Sequence, residues 1–164
     1  MTQQERENKI KELEKQLAEL KMAKVEEPQS KRWKPNKHEN YWQVDDFGDS
    51  YNLIWTDDGY DNWRYLTGNC FKIKEEAEEY KKQIEYTARY KNYIEEHSEP
   101  LNWSDDNQEK WDAHFNFYNN SIRTDYNIWE KHQGVIYASS QQIILDAIEE
   151  IGEDNFKKYV LGVK

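Results

Sequence analysis

A chain of 164 residues suffices for one packed domain and an appendage, and its apolar bulk comes chiefly from rings: seven Trp, twelve Tyr and five Phe at a mean hydropathy of -1.25. Each ring can bury roughly 150–250 Å², so a small core is feasible in a sequence otherwise polar enough to suggest disorder. The net charge of -10 opposes direct binding of nucleic acid or anionic membrane, and the single cysteine, Cys70, excludes an internal disulfide or a cysteine-rich zinc site.

Residues 3–26 read as an amphipathic helix, filling the N-terminal segment 1–26. Ile10, Leu13, Leu17 and Leu20 recur at the a and d positions of a heptad, among Glu, Lys and Gln. Two heptads are too short to be stable alone in water, so the stripe is expected to self-associate as a small coiled coil or to dock elsewhere. Residues 27–40 read as a basic linker. Pro28 stops the helix, and Lys31, Arg32, Lys34 and Lys37 surround Trp33. A solvated linker, or one lying against the chain's own acidic domain, is the plainer reading than a nucleic-acid tether.

The charge is uneven. Residues 1–40 hold 10 of the 23 Lys and Arg and 8 of the 33 Asp and Glu, which leaves 13 basic against 25 acidic residues, or -12, in 41–164. The natural macromolecular partner of such a domain is a basic surface; solubility alone is the competing reason for the charge.

The acidic domain 41–164 reads as two sheet-plus-helix units, 41–100 and 101–164. In the first, Tyr41–Asp46 alternates as a strand, 45–50 turns, and Tyr51, Leu53 and Trp55 line one face of a second strand. After a turn over 56–62, Trp63 and Tyr65 read as a third short strand. A helix follows, with Ala77, Tyr80, Ile84, Ala88 and Ile94 as its stripe, and Pro100 marks its end. In the second unit, Trp111–Tyr118 alternates, 118–121 turns, and Ile122–Lys131 and Gly134–Tyr137 read as strands. Ser139 is expected to cap a helix carrying Ile143, Ile144, Ala147, Ile148 and Ile151, in a capping box with Gln142. A last short helix starts at Asp154. Gly68–Phe71 aligns with Gly134–Tyr137 at an offset of 66, and the Trp42 and Trp111 strands align at 69. Either an internal duplication or two unrelated units of similar grammar accounts for this. The fold class is α+β: two antiparallel sheet-plus-helix units behind a coiled-coil-like helix.

No catalytic or metal signature emerges. None of His38, His97, His114 and His132 is spaced three or four from another. Asp45, Asp46 and Asp49 flank Gly48, while Asp57, Asp58 and Asp61 flank Gly59; Asp105, Asp106 and Glu109 form a third group. These lack the alternating twelve-residue pattern of a calcium loop, and Asp with Gly is what tight turns demand. There is no phosphate-binding Gly loop and no nucleophile elbow. Cys70 reads as a buried structural thiol. No enzyme activity and no cofactor are expected. The acidic turns together with Trp55, Trp63 and Trp103 are the candidate partner-binding residues, since aromatic rings dominate protein interfaces.

Four stretches resemble a known class. Trp33-Lys34-Pro35, Tyr41-Trp42, Gly68-Asn69-Cys70-Phe71-Lys72-Ile73-Lys74-Glu75-Glu76-Ala77-Glu78 and Ala147-Ile148-Glu149-Glu150-Ile151-Gly152-Glu153-Asp154, with Lys157-Lys158-Tyr159 behind, are similar to small acidic phage and prophage proteins of low-GC Gram-positive bacteria. Ile73 stands where that class carries Thr or Ser, so the usual helix cap is missing. The resemblance brings no catalytic residues. It implies a mobile-element protein, cytoplasmic in its host, that binds host machinery such as a defence nuclease, in the manner of an anti-CRISPR protein. A sequestering protein for a nucleotide or other small molecule, or a virion assembly protein, are the alternatives. The absence of any ~18-residue apolar run and of a signal core agrees with a cytoplasmic location.

Overall fold

The computed structural model describes residues 3–22 and 32–163. The chain divides into two units, Met1–Trp33 and Lys34–Lys164. In the first, helix α1 spans Gln3–Met22. Ile10, Leu13 and Leu17 stand about half exposed along it; the side chain of Leu20 and most of the segment read as linker, including Pro28 and Lys31, lie outside the described residues.

The second unit begins within that segment. Pro35 is buried, His38 donates its backbone N–H to the Trp55 carbonyl at 2.8 Å, and the Lys34 ammonium lies 5.1 Å from the Trp55 ring. Lys34 also pairs with Asp57 at 3.9 Å, so this member of the basic run lies against the domain's own acid.

The architecture of this unit is α+β. β1 (Asn40–Val44) and β2 (Ser50–Ile54) form one antiparallel hairpin, followed by α2 (Gly59–Leu66) and the long α3 (Lys74–His97). β3 (Lys110–Asn116) and β4 (Ser121–Asn127) form a second hairpin, followed by α4 (Gln141–Ile151), the single turn α5 (Glu153–Asn155) and a π-helical turn over Phe156–Val160. Tyr90 and Ile94 of α3, Ile144, Ala147, Ile148 and Ile151 of α4, Ala138 and Phe156 make the main core. Around the first hairpin, Tyr41 and Trp55 are buried with rings edge to face at 5.7 Å.

Several expectations need correction. Trp63 and Tyr65 lie on α2, not on a strand. Asp58 accepts from the Asp61 N–H at 2.9 Å and caps the N-terminus of that helix. On α3, Ile84 and Ala88 face outward, because the buried stripe runs Ala77, Tyr90 and Ile94. β4 ends at Asn127, short of Lys131. Gly134–Tyr137 forms no strand, and only Ala138 beyond it bridges to Trp111.

That bridge repeats a device of the first hairpin. Trp42 exchanges two backbone hydrogen bonds with Phe71, at 2.8 and 2.9 Å, and Trp111 does the same with Ala138, at 2.9 and 2.8 Å. In the first hairpin the Asn69 side-chain amide prolongs the ladder, meeting the Val44 N–H and C=O at 2.8 and 2.6 Å. Gly68 and Gly134 both adopt positive φ before the bridge, as Gly readily does. The second unit holds one more residue between glycine and bridge, so the equivalent positions from there on lie 67 apart, not 66. Ile73 therefore corresponds to Ser140, and Ser140, not Ser139, caps α4 by accepting from the Ile143 N–H. Ser139 instead accepts from the Glu99 N–H at 3.0 Å, and Gln142 donates to Asp146 rather than closing a capping box. Ile73 offers no cap bond; Glu76 reaches back to the Lys72 N–H at 3.1 Å. Replacing Ser140 by Ala is expected to cost about 1 kcal/mol in urea unfolding.

Candidate protein-docking face

The acidic turns sit at opposite ends of β2. At the hairpin tip the Asp45 carboxylate folds back to accept from the Phe47 and Asp49 N–H groups at 3.0 and 2.8 Å, the Asx geometry that turns favour. Gly48 supplies the positive φ that the reversal needs. Asp45 is thus a turn former, while Asp46, Phe47 and Asp49 face solvent, Phe47 with 92% of its surface exposed.

At the other end, Asp61 is buried, which removes it from any contact surface. Its carboxylate accepts from the Tyr41 hydroxyl at 2.7 Å, the Thr56 N–H at 2.6 Å, the Thr56 hydroxyl at 2.9 Å and the Asp57 N–H at 3.1 Å. Burial pushes this carboxyl up, but the bonds from Tyr41, Thr56 and Asp57 outweigh burial and hold it below its ordinary value. Burial, then the bond to Asp61, pushes the Tyr41 phenol up to about 12. Asp61 therefore ties the loop after β2 to β1 and fixes where α2 starts. Asp57 and Asp58 remain exposed beside it.

Because α2 is a helix, its rings split between two faces. Tyr65 turns inward, edge to face with Trp55 at 6.4 Å. Tyr60, Trp63 and Leu66, three apart, form a stripe facing water, exposed by 76, 66 and 74%. A short helix normally buries its apolar side; this one shows apolar residues to solvent beside two carboxylates. Tyr60 and Leu66 were not among the sequence candidates. Asp58 three residues before Asp61 was the available signal of a helix start.

The remaining candidates fall elsewhere. Trp55 is buried and cannot touch a partner. Trp103, in the loop between α3 and β3, packs edge to face on Tyr137 at 5.0 Å, with the Lys110 and Lys131 ammonium groups 5.5 and 5.8 Å from its ring. Its surroundings are locally cationic, unlike those of Trp63. Asp105 forms another Asx turn, and its carbonyl accepts from the buried Lys110 ammonium at 2.8 Å; Asp106 is exposed.

An open groove of about 940 Å³ lies between the first turns of α3 and the C-terminal segment, lined by Phe71, Glu75, Glu79, Lys158, Tyr159 and Val163 among others. The Lys158 ammonium meets Glu79 at 2.6 Å, and Lys157 meets Glu153 at 2.6 Å. Both lysines therefore already have carboxylate partners, so the groove is poorly suited to phosphate. Among the described residues, no cluster of His, Cys, Asp and Glu could hold a metal ion, and no helix is long and apolar enough to cross a membrane.

No protein-family model, no curated protein and no solved structure matches the chain.

Proposed function

We propose that the chain is a phage-type accessory protein that binds and blocks a basic, nucleic-acid-handling host protein, a bacterial defence nuclease being the favoured target. The observation that carries this reading is the outward stripe Tyr60–Trp63–Leu66 flanked by Asp57 and Asp58. Exposed Trp and Tyr supply the anchoring area of protein interfaces, and surrounding carboxylates attract a basic partner and occupy its phosphate-binding positions. The -12 balance of residues 41–164 supports the same sign of partner. Association of copies through Ile10, Leu13 and Leu17 of α1 would make the binding multivalent. The alternative of nucleotide sequestration is less well supported, because the lysines of the large groove are already paired.

The test is expression in a panel of bacterial hosts, each carrying one nuclease-based defence system, with phage plating as readout and binding of the purified nuclease measured at low and high salt. Rescue of plating in one host, with affinity that falls as salt rises, is the expected result. Trp63→Ala should weaken that binding about 30-fold or more, as loss of a central ring does, while leaving the unfolding midpoint unchanged because the ring is exposed. No rescue in any host, or binding insensitive to both salt and Trp63, would sink the proposal.

A further inference from the structure

The two hairpins differ in how their free edges are guarded. Along β2 the residues bonded to β1 can be read from the flanking ladder bonds, Trp55 N–H to Glu39 C=O and Asp45 N–H to Asp49 C=O. Antiparallel pairing alternates, so with this register Tyr51 and Leu53 face β1, whereas Ser50, Asn52 and Ile54 aim their backbone N–H and C=O groups away from it. Those groups bond to no described residue. On β1 the corresponding outer edge is closed by Phe71 and the Asn69 side chain.

Exposed edges recruit foreign strands, and proteins usually blunt them with charges, Pro, bulges or a cover. β4 carries Arg123 and Asp125, and the Gln141 side chain donates to Thr124 at 2.8 Å. β2, Ser50-Tyr51-Asn52-Leu53-Ile54, has no charged residue and no Pro, and its register runs without a bulge. Tyr51 and Ile54 are about half exposed on it. In a chain in which 34% of residues are charged, five uncharged residues along an open edge form a strand-pairing template.

We infer that the outer edge of β2 receives an extended, Lys- or Arg-bearing segment of the partner as an added antiparallel strand. The inference rests on the proposed reading of a basic partner. Its specific support is charge placement. Asp46 and Asp49 stand beyond one end of β2, Asp57 and Asp58 beyond the other, all exposed. A second copy pairing antiparallel about Asn52 would bring the acidic ends of the two chains together, and like charges there oppose it. A basic strand meets carboxylates at both ends, while main-chain bonds supply affinity irrespective of its side chains.

The test uses the full chain and a capped peptide alternating Lys with Val over seven residues. Its comparisons are a Glu-for-Lys version and a version N-methylated at every second residue to block one edge. In amide-resolved NMR titrations the Lys peptide is expected to shift and protect Ser50, Asn52 and Ile54. The Glu and N-methylated peptides should bind at least about 10-fold more weakly. Asn52→Pro removes an outward N–H and keeps the backbone bonds of the β1 ladder, losing toward β1 the 3.5 Å bond from the Asn52 side-chain amide to the Tyr41 carbonyl, and should weaken the Lys peptide by a similar factor; Asn52→Lys should do so through charge. Equal binding of the Lys and N-methylated peptides, or no binding at millimolar peptide, overturns the edge inference. Salt-dependent binding of the nuclease would still stand in that case. A concentration-dependent dimer abolished by Asn52→Pro would assign the edge to a second copy and likewise overturn it.

Discussion

Replacing Asp61 by Asn is expected to lower the unfolding free energy by about 2–4 kcal/mol, although the two side chains have nearly the same shape. The carboxylate accepts from Tyr41, from both donors of Thr56 and from the Asp57 N–H within 3.1 Å. An amide keeps one accepting oxygen and turns a donor toward the rest, so at least one buried donor loses its partner, at a cost of order 1–3 kcal/mol, and the charge-assisted bonds weaken. Urea unfolding of wild type and Asp61→Asn measures the difference, with the denaturant slope expected to stay constant. The pH dependence follows in sign. Asp61 titrates lower in the folded state than the ordinary 3.8, so its stabilisation is complete above about that pH and is lost as pH falls through the lowered folded value. Acid unfolding of Asp61→Asn should lack this component. Tyr41 behaves oppositely: its folded value of about 12 lies above the ordinary 10.0, so its stabilisation holds below pH 10 and disappears as pH rises through 12, relative to Tyr41→Phe.

Phe156→Ala is expected to cost about 3–5 kcal/mol, the range for emptying a buried aromatic position. The ring is fully buried at the start of the π-helical turn and packs against Tyr90 with centroids 4.9 Å apart. It closes the cluster in which α3 meets α4. The neighbouring Tyr90 hydroxyl has no hydrogen-bond partner among the described residues, and burial pushes its phenol up. Phe156→Leu, which keeps most of the volume, should cost under about 1.5 kcal/mol. Native domains have only about 5–15 kcal/mol to lose, so the Ala variant should melt well below wild type in calorimetry, and near-equal midpoints for the two variants would contradict this packing.

Periodicity exposed the elements that bury one side. α4 carries Ile144, Ala147, Ile148 and Ile151 at helical spacing, and the hairpin strands alternate around Tyr41 and Trp111, whereas on α3 periodicity found the helix with Ala77 and Ile94 but put Ile84 and Ala88 where Tyr90 is buried. α2 stayed hidden because its apolar stripe faces water, while Trp63 and Tyr65, two apart, imitate one face of a strand. Its best signal was chemical: Asp58 placed to cap and Asp61 three residues on. Gly134–Tyr137 looked like a strand because Val135, Ile136 and Tyr137 have strand propensity, yet tertiary pairing is confined to Ala138. Adjacent serines hid the cap, since only backbone position tells Ser140 from Ser139. Of the candidate surface, the acidic turns and Trp63 were legible. The burial of Asp61 and Trp55 was not, because Asp in a Gly-containing turn reads as exposed and a Trp at a strand end can face either way.

The two bridges also bear on how the chain acquires its fold. Trp42 and Phe71 are separated by 29 positions and Trp111 and Ala138 by 27, so each hairpin is tied to the start of its helix within a short stretch of polymer. Closing such loops costs little more than closing shorter ones, because the entropy grows only as the logarithm of length. Folding from two local nuclei is the natural consequence, each able to form before the other. The meeting of α3 with α4 joins residues about 50 positions apart, such as Tyr90 and Ile144, and falls late. The C-terminal turn reaches further still, since Phe156 packs on Tyr90, and such non-local contacts are the ones that slow folding.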